Sequence, residues 1–173
     1  MGQIRLPAGG LANLRRAIEE NAGSSAVPAL REAGRRLASD AQAVITQNCG
    51  GQLPTLPMTR FWDELERYFS EAGWGSIEHE RVNGAIGALV TSEWAEVDSS
   101  DSRDFPSCHI TTGLLAELLS EAVGQPVAVL QVQCISRGDS VCRFLFGSPT
   151  TLLSIHQRLA HSDTLENALS AFA

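Results

Sequence analysis

Two cysteines flank a short loop in the last third of the chain, and a third cysteine precedes them by one predicted helix. Residues 127–134 and 141–146 have the apolar, β-branched composition of strands, and the intervening loop contains a glycine. A hairpin would bring Cys134 and Cys142 together, and Cys108 could approach them from the first turn of the helix. Because no secretory signal is evident, three converging sulfurs predict a metal site rather than a disulfide framework. The alternative is three buried, apolar cysteines.

The remaining patterns predict helices followed by strands, then a helix, a hairpin and terminal helices. Apolar residues recur at helical spacing in the helices, and Asn83-Gly84 is a strong hairpin signal. The predicted elements are helices at 11–20, 27–45, 59–72 and 109–123, strands at 76–82, 85–94, 127–134 and 141–146, and one or two helices within 149–171. This order is typical of an α+β domain.

Composition and charge limit the function classes. The chain has 173 residues, of which 43% are hydrophobic and 19% charged, so we expect residues 26–173 to form one domain preceded by an arm at 1–25. A net charge of -7 without a Lys/Arg cluster argues against nucleic-acid binding. No apolar run is long enough to span a bilayer, and the first residues lack a signal-peptide core, which predicts a cytoplasmic protein.

The region around the cysteines carries a family resemblance in the order and spacing of its residues. The residues are Cys108-His109, Gly113-Leu114-Leu115, Glu117-Leu118-Leu119, Val127-x-Val129, Cys134, Gly138 and Cys142-x-Phe144. This pattern resembles the 4-vinyl reductase domain family, most closely over residues 105–147. The family includes sensory domains of phenol- and xylene-responsive activators and stand-alone hydrocarbon-binding proteins, and it is related in fold to subunits of the TRAPP tethering complex. The resemblance implies an antiparallel sheet of about four or five strands with helices packed on one side.

The resemblance also implies a zinc site, with one departure at Gln131. In the sensory members, a glutamate three residues before the second cysteine joins the three thiolates around zinc. Here that position is Gln131, a neutral amide and a poor metal ligand. We expect zinc at Cys108, Cys134 and Cys142, with His109, Cys49, a water or nothing as the fourth ligand.

Aromatic residues between the third helix and the cysteines suggest a ligand pocket. The candidate ligand-binding residues are Trp62, Tyr68, Trp74, Trp94 and Phe105. Such rings often only fill a core, but apolar pockets with few polar groups also bind small molecules. We predict that at least two of these rings border a cavity for an apolar ligand.

The combined patterns predict a non-enzymatic binding domain. No phosphate-binding loop, HExxH motif or nucleophile elbow is present. We therefore expect the chain to bind a small hydrophobic or aromatic molecule and to act through a protein partner, as a homodimer at least, because helix 27–45 carries a stripe of small residues. The alternative is an oligomeric scaffold without a ligand. It is suggested by a weaker resemblance of Leu65–Ile77 and Leu30–Arg35 to the D subunit of bacterial cellulose synthase complexes.

Overall fold

The computed structural model describes residues 7, 9–98, 100 and 102–172 as an α+β fold built on a four-stranded antiparallel sheet. The elements are α1 (Gly10–Ala22), α2 (Ala26–Cys49), α3 (Met58–Glu71), β1 (Glu78–Arg81), β2 (Ile86–Thr91), α4 (His109–Val123), β3 (Ala128–Gln133), β4 (Cys142–Gly147), α5 (Pro149–Ala160) and α6 (Leu165–Ser170). The strand order is β1-β2-β4-β3. The predicted class and strand number are confirmed. Within the described residues, no helix has both the length and the apolar content that a bilayer span needs.

Helices cover both faces of the sheet, whereas the family resemblance implied one. Alternation along the central strands points Leu89 and Phe144 to the face that packs with α2, α3 and α4. Their neighbours Ala88 and Leu145 face the other way and pack against α5 and α6. Both sets are apolar, so both faces must be covered, and the expectation of helices on one side only is wrong in this respect.

Helices α2 and α4 cross with their backbones in close approach. A Cβ atom added to Gly34 would lie 2.0 Å from the carbonyl oxygen of Ile110, and one added to Gly113 would lie 1.9 Å from that of Arg31. The small-residue stripe of α2, which includes Gly34, is thus buried inside the chain. It therefore gives no support to the predicted homodimer, which stays a prediction.

The first helix packs onto the domain. Ala12 and Arg15 of α1 are fully buried. Ion pairs join Arg16 to Asp98 and Arg103 to Glu19, the latter at 2.7 Å, and fasten α1 to the segment that precedes α4. The helix predicted at 11–20 is confirmed, whereas the domain boundary after residue 25 stays a prediction.

Candidate thiolate site

Three sulfur atoms converge beneath the amino terminus of α4. The Sγ atoms of Cys108, Cys134 and Cys142 all lie within 4.8 Å of one another, and those of Cys108 and Cys134 are 4.0 Å apart. All three residues have no solvent exposure. The convergence predicted from their spacing is therefore confirmed.

A bulge in β3 turns both Gln131 and Cys134 toward this cluster. Gln131 pairs with Phe144 and Gln133 with Arg143, so Val132 is an extra residue relative to β4. Without the bulge, positions three apart in a strand would face opposite sides of the sheet. The shift places the Gln131 amide beside Cys108, whose backbone N–H donates to the Gln131 Oε1 at 2.9 Å.

The loop between the two strands is held by its own hydrogen bonds. The backbone N–H of Cys134 donates to a carboxylate oxygen of Asp139 at 2.7 Å. Gly138 has a φ of 94°, which is in the left-handed region that glycine tolerates. The backbone N–H of Ile135 donates to the Cys142 sulfur at 3.5 Å. The hairpin therefore presents its two sulfurs in a fixed arrangement.

A distant carboxylate caps α4 and leaves the Cys108 sulfur free for the cluster. Cys108 is the N-cap residue but makes no side-chain cap bond. Instead the fully buried Glu96 accepts hydrogen bonds from the backbone N–H of Ile110 at 2.9 Å, and from the N–H and hydroxyl of Thr111 at 2.8 and 2.7 Å. Burial raises the pKa of Glu96 to about 7.

The sulfurs share protons unequally. Hydrogen bonds from the Cys108 thiol, and then from the Cys142 thiol, lower the pKa of Cys134 well below its ordinary value. The same bond to Cys134 is the main reason that the pKa of Cys108 is raised. Ser107 adds a hydroxyl 3.8 Å from the Cys134 sulfur. Negative charge on the thiols therefore collects first on Cys134, between its two neighbours.

The donor set fits a thiophilic ion through its sulfurs, but it does not provide the four ligands that structural zinc takes. Among the described residues, the group of mutually close donor atoms contains these three sulfurs and neither Cys49 nor His109. The Gln131 oxygen is engaged by the Cys108 N–H, and the buried Gln131 Nε2 has no hydrogen-bond partner. An amide nitrogen also has no lone pair for a metal. The cluster could hold a metal, but the fourth ligand expected from the family is missing.

The predicted ligand-binding aromatics fall into separate places. Trp94 is buried, with ring centroids 5.7 Å from Trp74 and 5.1 Å from Phe69, and its Nε1–H donates to Thr111 at 2.7 Å. Tyr68 also packs edge-on against Phe69, at 5.3 Å. The structure thus brings Tyr68, Trp74 and Trp94 around one central phenylalanine.

The other two candidates lie elsewhere. Trp62 stacks on His79 with ring centroids 4.1 Å apart, next to Phe146. Phe105 is 78% exposed. Two surface cavities of about 490 and 370 Å³ are lined by other residues, near the end of α5 and between α2 and the turn at Leu53. A ring-lined ligand cavity stays a prediction.

Sequence reasoning missed Glu96 as a functional part of the site. A helix-capping carboxylate is usually found within a few residues of the helix start. Glu96 lies in a loop well upstream of α4, in Trp94-Ala95-Glu96, and its contacts span 14 and 15 residues. No local pattern marks such a long-range cap.

Comparisons with known proteins agree with this geometry. The fold and the cysteine hairpin define a small α+β domain with a buried thiolate cluster. Residues 94–148, which contain Glu96, Gln131 and all three clustered cysteines, match the family model of the 4-vinyl reductase domain. The family resemblance carried by the cysteine region is thereby confirmed. No curated protein sequence matches the chain.

Three solved structures share the fold. The phenol-responsive sensory domain of the transcription activator PoxR, with phenol, has a TM-score of 0.69 at 14% identity and covers 84% of this chain and 76% of its own. A vinyl-4-reductase family protein from Methanocaldococcus jannaschii has a TM-score of 0.51 at 20% identity, with 84% and 82% covered. A trafficking protein particle complex subunit 3 from Naegleria fowleri, covalently bound to palmitic acid, has a TM-score of 0.57 at 12% identity, with 79% and 93% covered. At these identities the likeness establishes the fold.

Proposed function

We propose that this chain is a binding domain of the 4-vinyl reductase type for a small hydrophobic or aromatic molecule, and that it acts through a protein partner rather than by catalysis. The observation that carries this proposal is the shared fold with a phenol-responsive sensory domain, which extends over 84% of the chain. The ring cluster of Tyr68, Trp74 and Trp94 supports it, because aromatic side chains commonly line such sites.

A non-catalytic role agrees with how the buried polar groups are used. Glu96 is the buried carboxylate nearest to the start of α4, and both of its oxygens accept bonds that cap this helix. Burial, followed by repulsion from Arg31, lowers the pKa of His109 to about 4, so this imidazole is neutral at pH 7. We expect the cysteines to hold a metal that stabilises the domain, with zinc as the ion that the family resemblance suggests.

Ligand binding should be visible in tryptophan fluorescence. Titration with phenols, alkylbenzenes and a long-chain fatty acid should change the emission of the wild-type chain, and the change should persist in Trp62→Phe. It should fall strongly in Trp94→Phe, because Trp94 lies in the proposed ring cluster and Trp62 lies apart from it. Saturating ligand should also raise the melting temperature, since ligand binds the folded state. If no compound alters either signal, the scaffold alternative takes the place of this proposal.

Self-association is a separate prediction. Sedimentation velocity at micromolar concentration should give a species of at least twice 18.5 kDa. Phe105 is the most exposed large apolar side chain among the described residues, so Phe105→Ser should weaken the dimer if this ring lies in the contact. Leu153→Ser is the matched control, because Leu153 is 56% exposed on α5. A single 18.5 kDa species for the wild type would contradict the prediction.

A further inference from the structure

The position that supplies zinc's carboxylate in the resembling sensory domains is occupied here by a side chain that cannot replace it. The Gln131 oxygen already accepts the backbone N–H of Cys108 at 2.9 Å. The Gln131 nitrogen is buried, has no partner and can only donate hydrogen bonds. Gln131 therefore contributes an N–H donor beside the sulfurs instead of an anionic ligand.

The rest of the described structure does not fill this position. No other histidine, cysteine, aspartate or glutamate in the described ranges joins the three sulfurs within 4.8 Å. The three cysteines are completely shielded from solvent, so a water ligand would need a polar space within a largely apolar core. The described side chains thus supply three soft ligands and no hard one.

We propose that Cys108, Cys134 and Cys142 form a three-coordinate thiolate site for Cu(I), and that Gln131 sets this preference by withholding the fourth ligand that zinc takes. This inference rests on the proposed metal site. Thiolates select soft ions such as Cu(I), whereas zinc in structural sites takes four ligands. The separation of 4.0 Å between the Cys108 and Cys134 sulfurs suits either ion, so the ligand number decides between them.

The charge of the site is consistent with a monovalent ion. Replacing glutamate by glutamine removes one negative charge, and replacing Zn²⁺ by Cu(I) removes one positive charge, so the net charge of the filled site is unchanged. The anionic sulfurs also have hydrogen-bond donors near them. The Ile135 N–H lies 3.5 Å from the Cys142 sulfur, and the Ser107 hydroxyl lies 3.8 Å from that of Cys134. A buried anionic cluster needs such donors to remain stable.

Metal competition on the reduced full chain tests this assignment. The experiment compares wild type, Gln131→Glu and Gln133→Glu, each titrated without oxygen with Cu(I) buffered by a copper chelator and with Zn²⁺ buffered by a zinc chelator. Gln133 is the matched control because it lies in the same strand but pairs with Arg143, at 3.0 Å. Wild type should bind one Cu(I), with three sulfur ligands by X-ray absorption. Gln131→Glu should raise zinc affinity tenfold or more without tightening Cu(I), and Gln133→Glu should change neither.

Two results would overturn the proposal. Wild-type chain that holds zinc with four ligands, as tightly as Gln131→Glu does, would show that the amide does not set the preference. Failure of both ions to bind a folded wild-type chain would remove the metal site altogether. The second result would leave the small-molecule proposal intact, because fluorescence titration tests that separately. Circular dichroism of each variant checks that the fold is retained.

Discussion

Replacing Gly113 with alanine should destabilise the domain by about 3 kcal/mol or more, a cost at the upper end for overpacking a core. The new Cβ would lie 1.9 Å from the backbone oxygen of Arg31, and no flexible side chain is available to move away. Helices α2 and α4 would have to separate along their contact. For a chain of this size, the melting temperature should fall by roughly 6–12 °C, which thermal unfolding by circular dichroism measures.

Gly84→Ala is the control for this substitution. An added Cβ at Gly84 meets no atom within 4 Å, and its φ lies outside the left-handed region. Gly34→Ala should resemble Gly113→Ala, because its Cβ would lie 2.0 Å from the Ile110 oxygen. The double variant should cost less than the two single costs added, since one separation of the helices relieves both clashes. Stability unchanged in Gly113→Ala would show that α2 and α4 do not cross this closely.

The ionisation of Glu96 should produce the second large effect, a pH-dependent loss of stability. Burial raises its pKa from an ordinary 4.5 to about 7, so the folded chain binds this proton more tightly than the unfolded chain. Below pH 4.5 both states are protonated and there is no penalty. As pH rises through about 7, the folded state loses roughly 3 kcal/mol of stability, at 1.4 kcal/mol for each pKa unit.

The test is the difference between wild type and Glu96→Gln. His109 acts in the opposite direction, because its pKa is lowered to about 4 in the folded chain and stability is lost as pH falls below its ordinary 6.5. Urea unfolding from pH 4.5 to 8 should therefore show the Glu96 effect as a change in the difference between the two curves. Glu93→Gln, at an exposed position in the same loop, should follow wild type. A constant difference for Glu96→Gln across this range would contradict the raised pKa.

Sequence patterns predicted the element order because each helix and strand has a clear local period. The limits predicted for the fourth helix, 109–123, coincide with α4, and the cysteine hairpin appears as β3 and β4. The cover on the second sheet face was missed because Leu152 and Ile155 show a helical stripe without showing which surface it meets. Periodicity identifies a buried side, whereas the partner of that side depends on the whole chain.

For the candidate site, spacing predicted which sulfurs converge but not the groups that support them. The bulge at Val132, the capping by Glu96 and the bond from Cys108 to the Gln131 oxygen all join residues that are distant in sequence or irregular in register. Aromatic content likewise could not separate the ring cluster near Trp94 from the stack of Trp62 on His79. Those arrangements depend on tertiary packing, which residue type alone does not specify.

The strand order has a consequence for synthesis on the ribosome. β4 is the last strand of the sheet to be made, yet it lies between β2 and β3. At about 5–20 residues per second, roughly 3–10 s pass between the emergence of β2 and that of β4. During that interval β2 and β3 have unpaired edges, and the leucines of α4 have no complete sheet to cover. Nascent chains shorter than residue 147 should therefore bind chaperones, and release should coincide with the insertion of β4.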